Sequence, residues 1–146
     1  MSHARIEIQD AMVAALQGDV PLATIRAGRV WVYQPGELPV VGVYTNEEAQ
    51  SLDEGTFDAI GRELELICEV VAQGVDGNTV DIALNAIAAQ IETSLGDERH
   101  VLGILDCLPA AWSAEMTTEG DTITGKGVMS FSVLYRTAIG SPETII

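Results

Sequence analysis

Two long alternating stretches near the end of the chain constrain its fold more than anything else in the sequence. In the first, Ala110, Trp112, Ala114 and Met116 alternate with Ala111, Ser113, Glu115 and Thr117. In the second, Ile123, Gly125, Gly127, Met129, Phe131, Val133 and Tyr135 alternate with Thr124, Lys126, Val128, Ser130, Ser132, Leu134 and Arg136. A period of two sends successive side chains to opposite faces of a sheet. Glu119-Gly120-Asp121 between them is a hairpin signal. The second stretch exceeds the roughly 3–10 residues of an ordinary strand. It therefore either projects beyond its sheet or pairs with a neighbouring subunit. The glycines at 125 and 127 mark a bulge or a close backbone approach.

A third alternating run spans residues 62–73. Leu64, Leu66, Cys68, Val70 and Ala72 fall on one face, and Glu63, Glu65, Ile67, Glu69, Val71 and Gln73 on the other. Glu63, Glu65 and Glu69 predict a solvated sheet face, or an oligomer or channel surface. Two shorter β-like runs precede it, 29–33 and 38–44, parted by the turn Gln34-Pro35-Gly36-Glu37. Pro39 cannot donate to a ladder and belongs at a strand start or on an edge.

Helical spacing appears twice. Ile8, Met12, Ala15 and Leu16 predict a helix over residues 3–17 with Ser2 as N-cap, stopped by Gly18-Asp19 and Pro21. Val80, Leu84, Ile87, Ile91 and Leu95 form a stripe made to lie on a sheet, with Asn78 or Thr79 as cap and Gly96 at C′. Between these blocks, residues 46–61 lose all periodicity and read as a long acidic loop, of the length that tends to be functional. The tail after Thr137 reads as frayed. The expected fold is a single α+β domain over 1–146. It has a mainly antiparallel sheet with two main helices packed on one face, in the order α-β-β-β-α-β-β.

Composition narrows the function. The 146 residues include 7 Lys+Arg against 22 Asp+Glu, a net charge of −15, with 47% hydrophobic residues. Such a chain buries a real core and does not have the composition of a disordered one. Lys126 is its one lysine, which argues against a reader of nucleic-acid phosphates. Cys68 and Cys107 are spaced for neither a redox CxxC nor a zinc knuckle; Cys68 reads as a small buried hydrophobe. No apolar run is long enough to span a membrane, and residues 1–5 lack a signal-peptide core. The expectation is a protein kept, or assembled, in the cytosol.

Chemistry is sparse. Gly125-Lys126-Gly127 sits mid-strand without the helix that completes a phosphate cradle. His3 falls in a first helical turn. His100, with Asp97, Glu98 or Asp106 nearby, is half of a possible acid–base set with no activated nucleophile beside it. No catalytic, cofactor-binding or metal-ligating residue is assigned.

The ordered features nevertheless resemble the tail terminator proteins of long-tailed bacteriophages, the minor-tail-protein-U-like group. The likeness is carried by residues 5–16, by Arg29-Val30-Trp31, and by Leu38-Pro39-Val40-Val41-Gly42-Val43-Tyr44-Thr45-Asn46-Glu47-Glu48. It continues through Arg62-Glu63-Leu64-Glu65-Leu66, the turn and helix of residues 76–95, and the closing Leu134-Tyr135-Arg136-Thr137. The resemblance implies a non-enzymatic structural protein of the virion tail, at its head-proximal end and assembled in the host cytoplasm. Such proteins form a homo-hexameric ring on the tail tube protein, stop its polymerisation and present a surface to a neck or head-completion protein. DNA would pass through the acidic ring without specific binding, and no cofactor or membrane is implied. Candidate interface residues are Arg29, Glu47, Glu48, Asp53, Glu54, Phe57, Arg62 and Arg136, with the 46–61 loop expected to order against the tube or a neighbouring ring. The alternatives are another neck or tail-completion component, the terminator of a contractile tail or gene-transfer particle, or a small cytosolic ligand-binding domain or enzyme using His100 and nearby acids.

Overall fold

The computed structural model describes residues 3–30, 33, 35–52 and 58–146. In chain order these form α1 (Ala4–Asp19), β1 (Thr24–Ala27), β2 (Val40–Leu52), β3 (Ala59–Gly74), α2 (Gly77–Asp97), β4 (Asp106–Glu119), β5 (Thr122–Ala138) and β6 (Ser141–Ile145). The main sheet runs β1-β2-β3-β5-β4, and β6 pairs with the end of β5. All pairings are antiparallel except the short one between β1 and β2. The α+β class, the helical face and the element order are as the sequence predicts.

One sheet face carries both helices. Leu64, Leu66, Cys68 and Val70 from β3 and Met129, Phe131 and Val133 from β5 meet Ile8, Met12 and Leu16 of α1 and Leu84, Ile87 and Ile91 of α2 in one core. Burying such side chains stabilises by about 1.5–3 kcal/mol each. The glycines of β5 explain how α2 and β4 come so close. A Cβ on Gly125 would stand 2.4 Å from Val80 Cγ1, and one on Gly127 2.2 Å from the Trp112 ring. Of the two readings of these glycines, close approach is the one seen, and covered in this way they form no phosphate cradle.

Several local expectations change. β5 pairs with β3 along its whole length from Ile123 to Ala138, so it does not project. Residues 46–52 belong to β2 and 59–61 to β3, which shortens the expected 46–61 loop at both ends. The alternation there was illegible because a bulge between Thr45 and Glu48 shifts its phase. The first strand lies at Thr24–Ala27 rather than 29–33; Arg29 and Val30 are outside any strand, and Trp31 and Val32 lie outside the described residues. Ser2 also lies outside them, and His3 caps α1 instead, its Nδ1 accepting the Arg5 N–H at 3.1 Å. Asp76 caps α2, its two carboxylate oxygens accepting Thr79 N–H at 2.8 Å and Thr79 Oγ1–H at 2.9 Å. Gly96 stays inside α2, and the frayed tail is β6.

Candidate functional site

The bulge in β2 has a further consequence. It turns Glu48 toward the helix side of the sheet, in register with Leu64, beyond the end of the apolar core. There Glu48 meets four donors. Arg62 Nη1 donates to its Oε2 at 2.9 Å, Gln50 Nε2 at 2.7 Å and Arg5 Nη1 at 3.3 Å, while Tyr135 O–H donates to Oε1. Arg62 Nε donates to Thr137 Oγ1 at 2.9 Å, tying β3 to β5. Burial raises the Glu48 carboxyl, but the bonds from Tyr135, Gln50 and Arg62 outweigh it and hold the group below its ordinary value. Burial, then the bond to Glu48, pushes the Tyr135 phenol up. Nothing in this pair titrates near neutrality, so the arrangement anchors α1 and three strands rather than moving a proton.

The opposite sheet face is partly covered. Residues 28–30, 33 and 35–39 cross it, packing Val30 on Val40 and Val71, with Tyr33 and Leu38 alongside. Glu69 anchors this crossing, Oε1 accepting the Val30 N–H at 3.2 Å and Oε2 lying 3.4 Å from Lys126 Nζ. A Cβ on Gly42 would fall 2.4 Å from Gly28 O, so only glycine lets the chain pass. Glu69 is therefore buried, whereas Glu63 and Glu65 stay accessible, accepting from Ser132 Oγ at 2.8 Å and Asn46 Nδ2 at 2.9 Å. Together with Glu47 they border a trough of about 230 Å³. A larger hollow, about 590 Å³, continues toward Ser51, Gly61, Leu105 and Arg136. Both are open and shallow, and the Ser132–Glu63 contact on the first is exposed.

The interface candidates are thus dispersed. Glu48 and Arg62 are brought together inside the chain. Glu47 is exposed on the acidic trough, Arg136 lines the larger hollow, and Arg29 lies over the Tyr44 ring at 4.1 Å from its centre. Asp53, Glu54 and Phe57 lie outside the described residues. His100 is exposed at the start of a 3-10 turn, Val101–Gly103, with no side-chain capping bond. Of the acids near it, Asp106 is engaged by Arg99, whose Nε and Nη2 donate at 2.8 and 2.9 Å and hold its carboxyl down at about 2. Among the described residues, no three His, Cys, Asp or Glu side chains are placed to hold a metal ion. Sequence reasoning missed Arg5, Gln50 and Tyr135 as partners of Glu48 and Thr137 as the partner of Arg62; the Tyr-Arg-Thr triplet was the visible trace of two of them.

Compared by sequence, the chain matches no family model and no curated protein. By fold it is similar to a chain of a solved structure described as the virion of a native gene transfer agent particle. The TM-score is 0.61 at 17% identity, covering 91% of this chain and 99% of that one, a shared fold across nearly the full length of both.

Proposed function

We propose that this chain is a structural virion protein, a tail terminator that closes the tail tube as a hexameric ring and offers the surface for joining the head. The observation that carries the reading is the fold match, which leaves almost none of either chain unpaired. The neighbour is a component of a gene transfer agent virion, a particle of the kind the sequence resemblance to tail terminators already allows. The architecture suits the role. A sheet with no further strand at either edge among the described residues, backed by helices on one face, offers two different surfaces for head-to-tail association, the kind that closes into rings.

Charge supports the same role. Six subunits of −15 give a ring of about six times that charge, which repels a passing duplex wherever acids face the lumen. Glu47, Glu63 and Glu65 on the open trough are the acids to place there, and Arg29 and Arg136 are the arginines to place against neighbouring subunits or the tube. Asp53, Glu54 and Phe57 complete the proposed tube-facing set. Glu48 and Arg62 contribute by holding the β2–β3 end rigid.

Light scattering across concentration, alone and mixed with purified tail tubes, tests the proposal. Six subunits, or a monomer that becomes six on the tube end, is the expected result. A monomer indifferent to tubes overturns it and returns attention to His100.

A further inference from the structure

The two sides of the sheet end differently. β4, 14 residues long, closes one side, and no strand lies beyond it among the described residues. From Leu108 to Glu119 every residue of it is exposed. Long open edges template further pairing, and proteins blunt them with lysines, inward charges, prolines or bulges. β4 has no lysine, and Pro109 with its neighbouring bulge protects only its first third. The other side is closed by β1, just four residues, again with no described strand outside it.

These two edges are complementary. On the open face β4 presents Glu115 and β1 presents Arg26, already drawn to Glu37 at 3.0 Å, with Arg29 following. On the helix face Trp112 and Met116 are 36% and 40% exposed on β4. Direction agrees as well, since β4 runs antiparallel to β1 through the intervening pairings. One row of the sheet reads Thr24, Val40, Val71, Lys126, Glu115, and the second row on reads Arg26, Gly42, Glu69, Val128, Ser113. Carrying these rows into a second copy sets Glu115 beside Thr24, with Arg26 its diagonal neighbour on the same face. Diagonal neighbours across strands are within reach of long side chains.

We infer that β4 of one copy pairs antiparallel with β1 of the next, setting Arg26 against Glu115 and covering the exposed Trp112 and Met116. The pairing rests on the ring reading, because it is the repeated head-to-tail contact such a ring needs. The test uses full-length Thr24→Cys and Ser113→Cys, both exposed positions, and a short bis-maleimide. The native Cys68 and Cys107 are buried and stay silent. Cross-linked dimers in the mixture of the two variants, and in neither alone, are expected; the double variant should give a ladder ending at six. Dimers from Ser113→Cys alone would replace the inference with a symmetric β4–β4 contact. Hexamers by light scattering without cross-links would overturn the pairing and leave the ring. A ladder without a closed six would overturn the ring and leave the pairing. A protein that stays monomeric and uncross-linked, with and without tubes, overturns both.

Discussion

Arg62 Nη1 lies 2.9 Å from Glu48 Oε2, and the two side chains are only 6% and 4% exposed. A pair this buried contributes little net stability compared with an apolar replacement of both partners, yet breaking it from one side leaves a charge stranded. Arg62→Met should therefore destabilise the fold by about 3–5 kcal/mol. The double variant Arg62→Met/Glu48→Leu should recover part of that loss, and urea unfolding of the set measures it. A cost within 1 kcal/mol for the single variant would show that Arg5, Gln50 and Tyr135 suffice to hold Glu48. Arg62→Glu would face a second carboxylate in the same space, so an assembly defect in it reports misfolding before it reports an interface.

Acid should unfold this protein in two stages. His3 titrates below its ordinary 6.5, through burial first and then Arg5 and Arg62, and its Nδ1 must stay unprotonated to cap α1. Glu48 likewise titrates below its ordinary 4.5. For both groups the unfolded chain takes up the proton first as pH falls. Their stabilisation is present above the ordinary value and lost as pH drops through the folded one. The urea midpoint should be level above about pH 6.5, decline modestly below it, and fall steeply below about 4.5. His3→Asn, which caps without titrating, should flatten the first decline and leave the second.

The glycines of β5 make a packing prediction. Gly125→Ala drives a methyl into Val80 and Leu84, and should cost about 1–3 kcal/mol, the usual penalty for overpacking. Gly127→Ala should be costly in the native chain but nearly neutral with Trp112→Ala, because the ring is what the methyl meets. A double-mutant cycle followed by thermal unfolding reads the coupling. Additive losses would mean that the Trp112 ring moves aside freely.

Both thiols should be inert in the folded protein. Burial pushes Cys68 up to about 12 and Cys107 to about 11, far from the thiolate that reacts. Ellman's reagent at pH 8 should find no accessible thiol until denaturant is added, and two afterwards. Native reaction at Cys107 alone would reveal local opening at the start of β4.

The sequence by itself determined the long strands β3, β4 and β5, both helices and their shared face. Period two and period 3.6 are local consequences of backbone geometry, and burial needs no knowledge of the partner. That is why Leu64, Leu66 and Cys68, or Leu84, Ile87 and Ile91, could be placed on core faces without coordinates. The acidic surplus and the scarcity of catalytic groupings were also legible. Other features depended on tertiary structure alone. A bulge of one extra residue in β2 changed the phase of its side chains, sent Glu48 inward and made a cluster of residues 5, 48, 62 and 135, which no short-range pattern links. Glu63, Glu65 and Glu69 looked equivalent in the chain, yet the crossing that carries Val30 over the sheet buried only the last. Which strands are left at the sheet's edges is likewise a property of strand order, set by how helices and turns pack over the core, and those edges are where assembly must be sought.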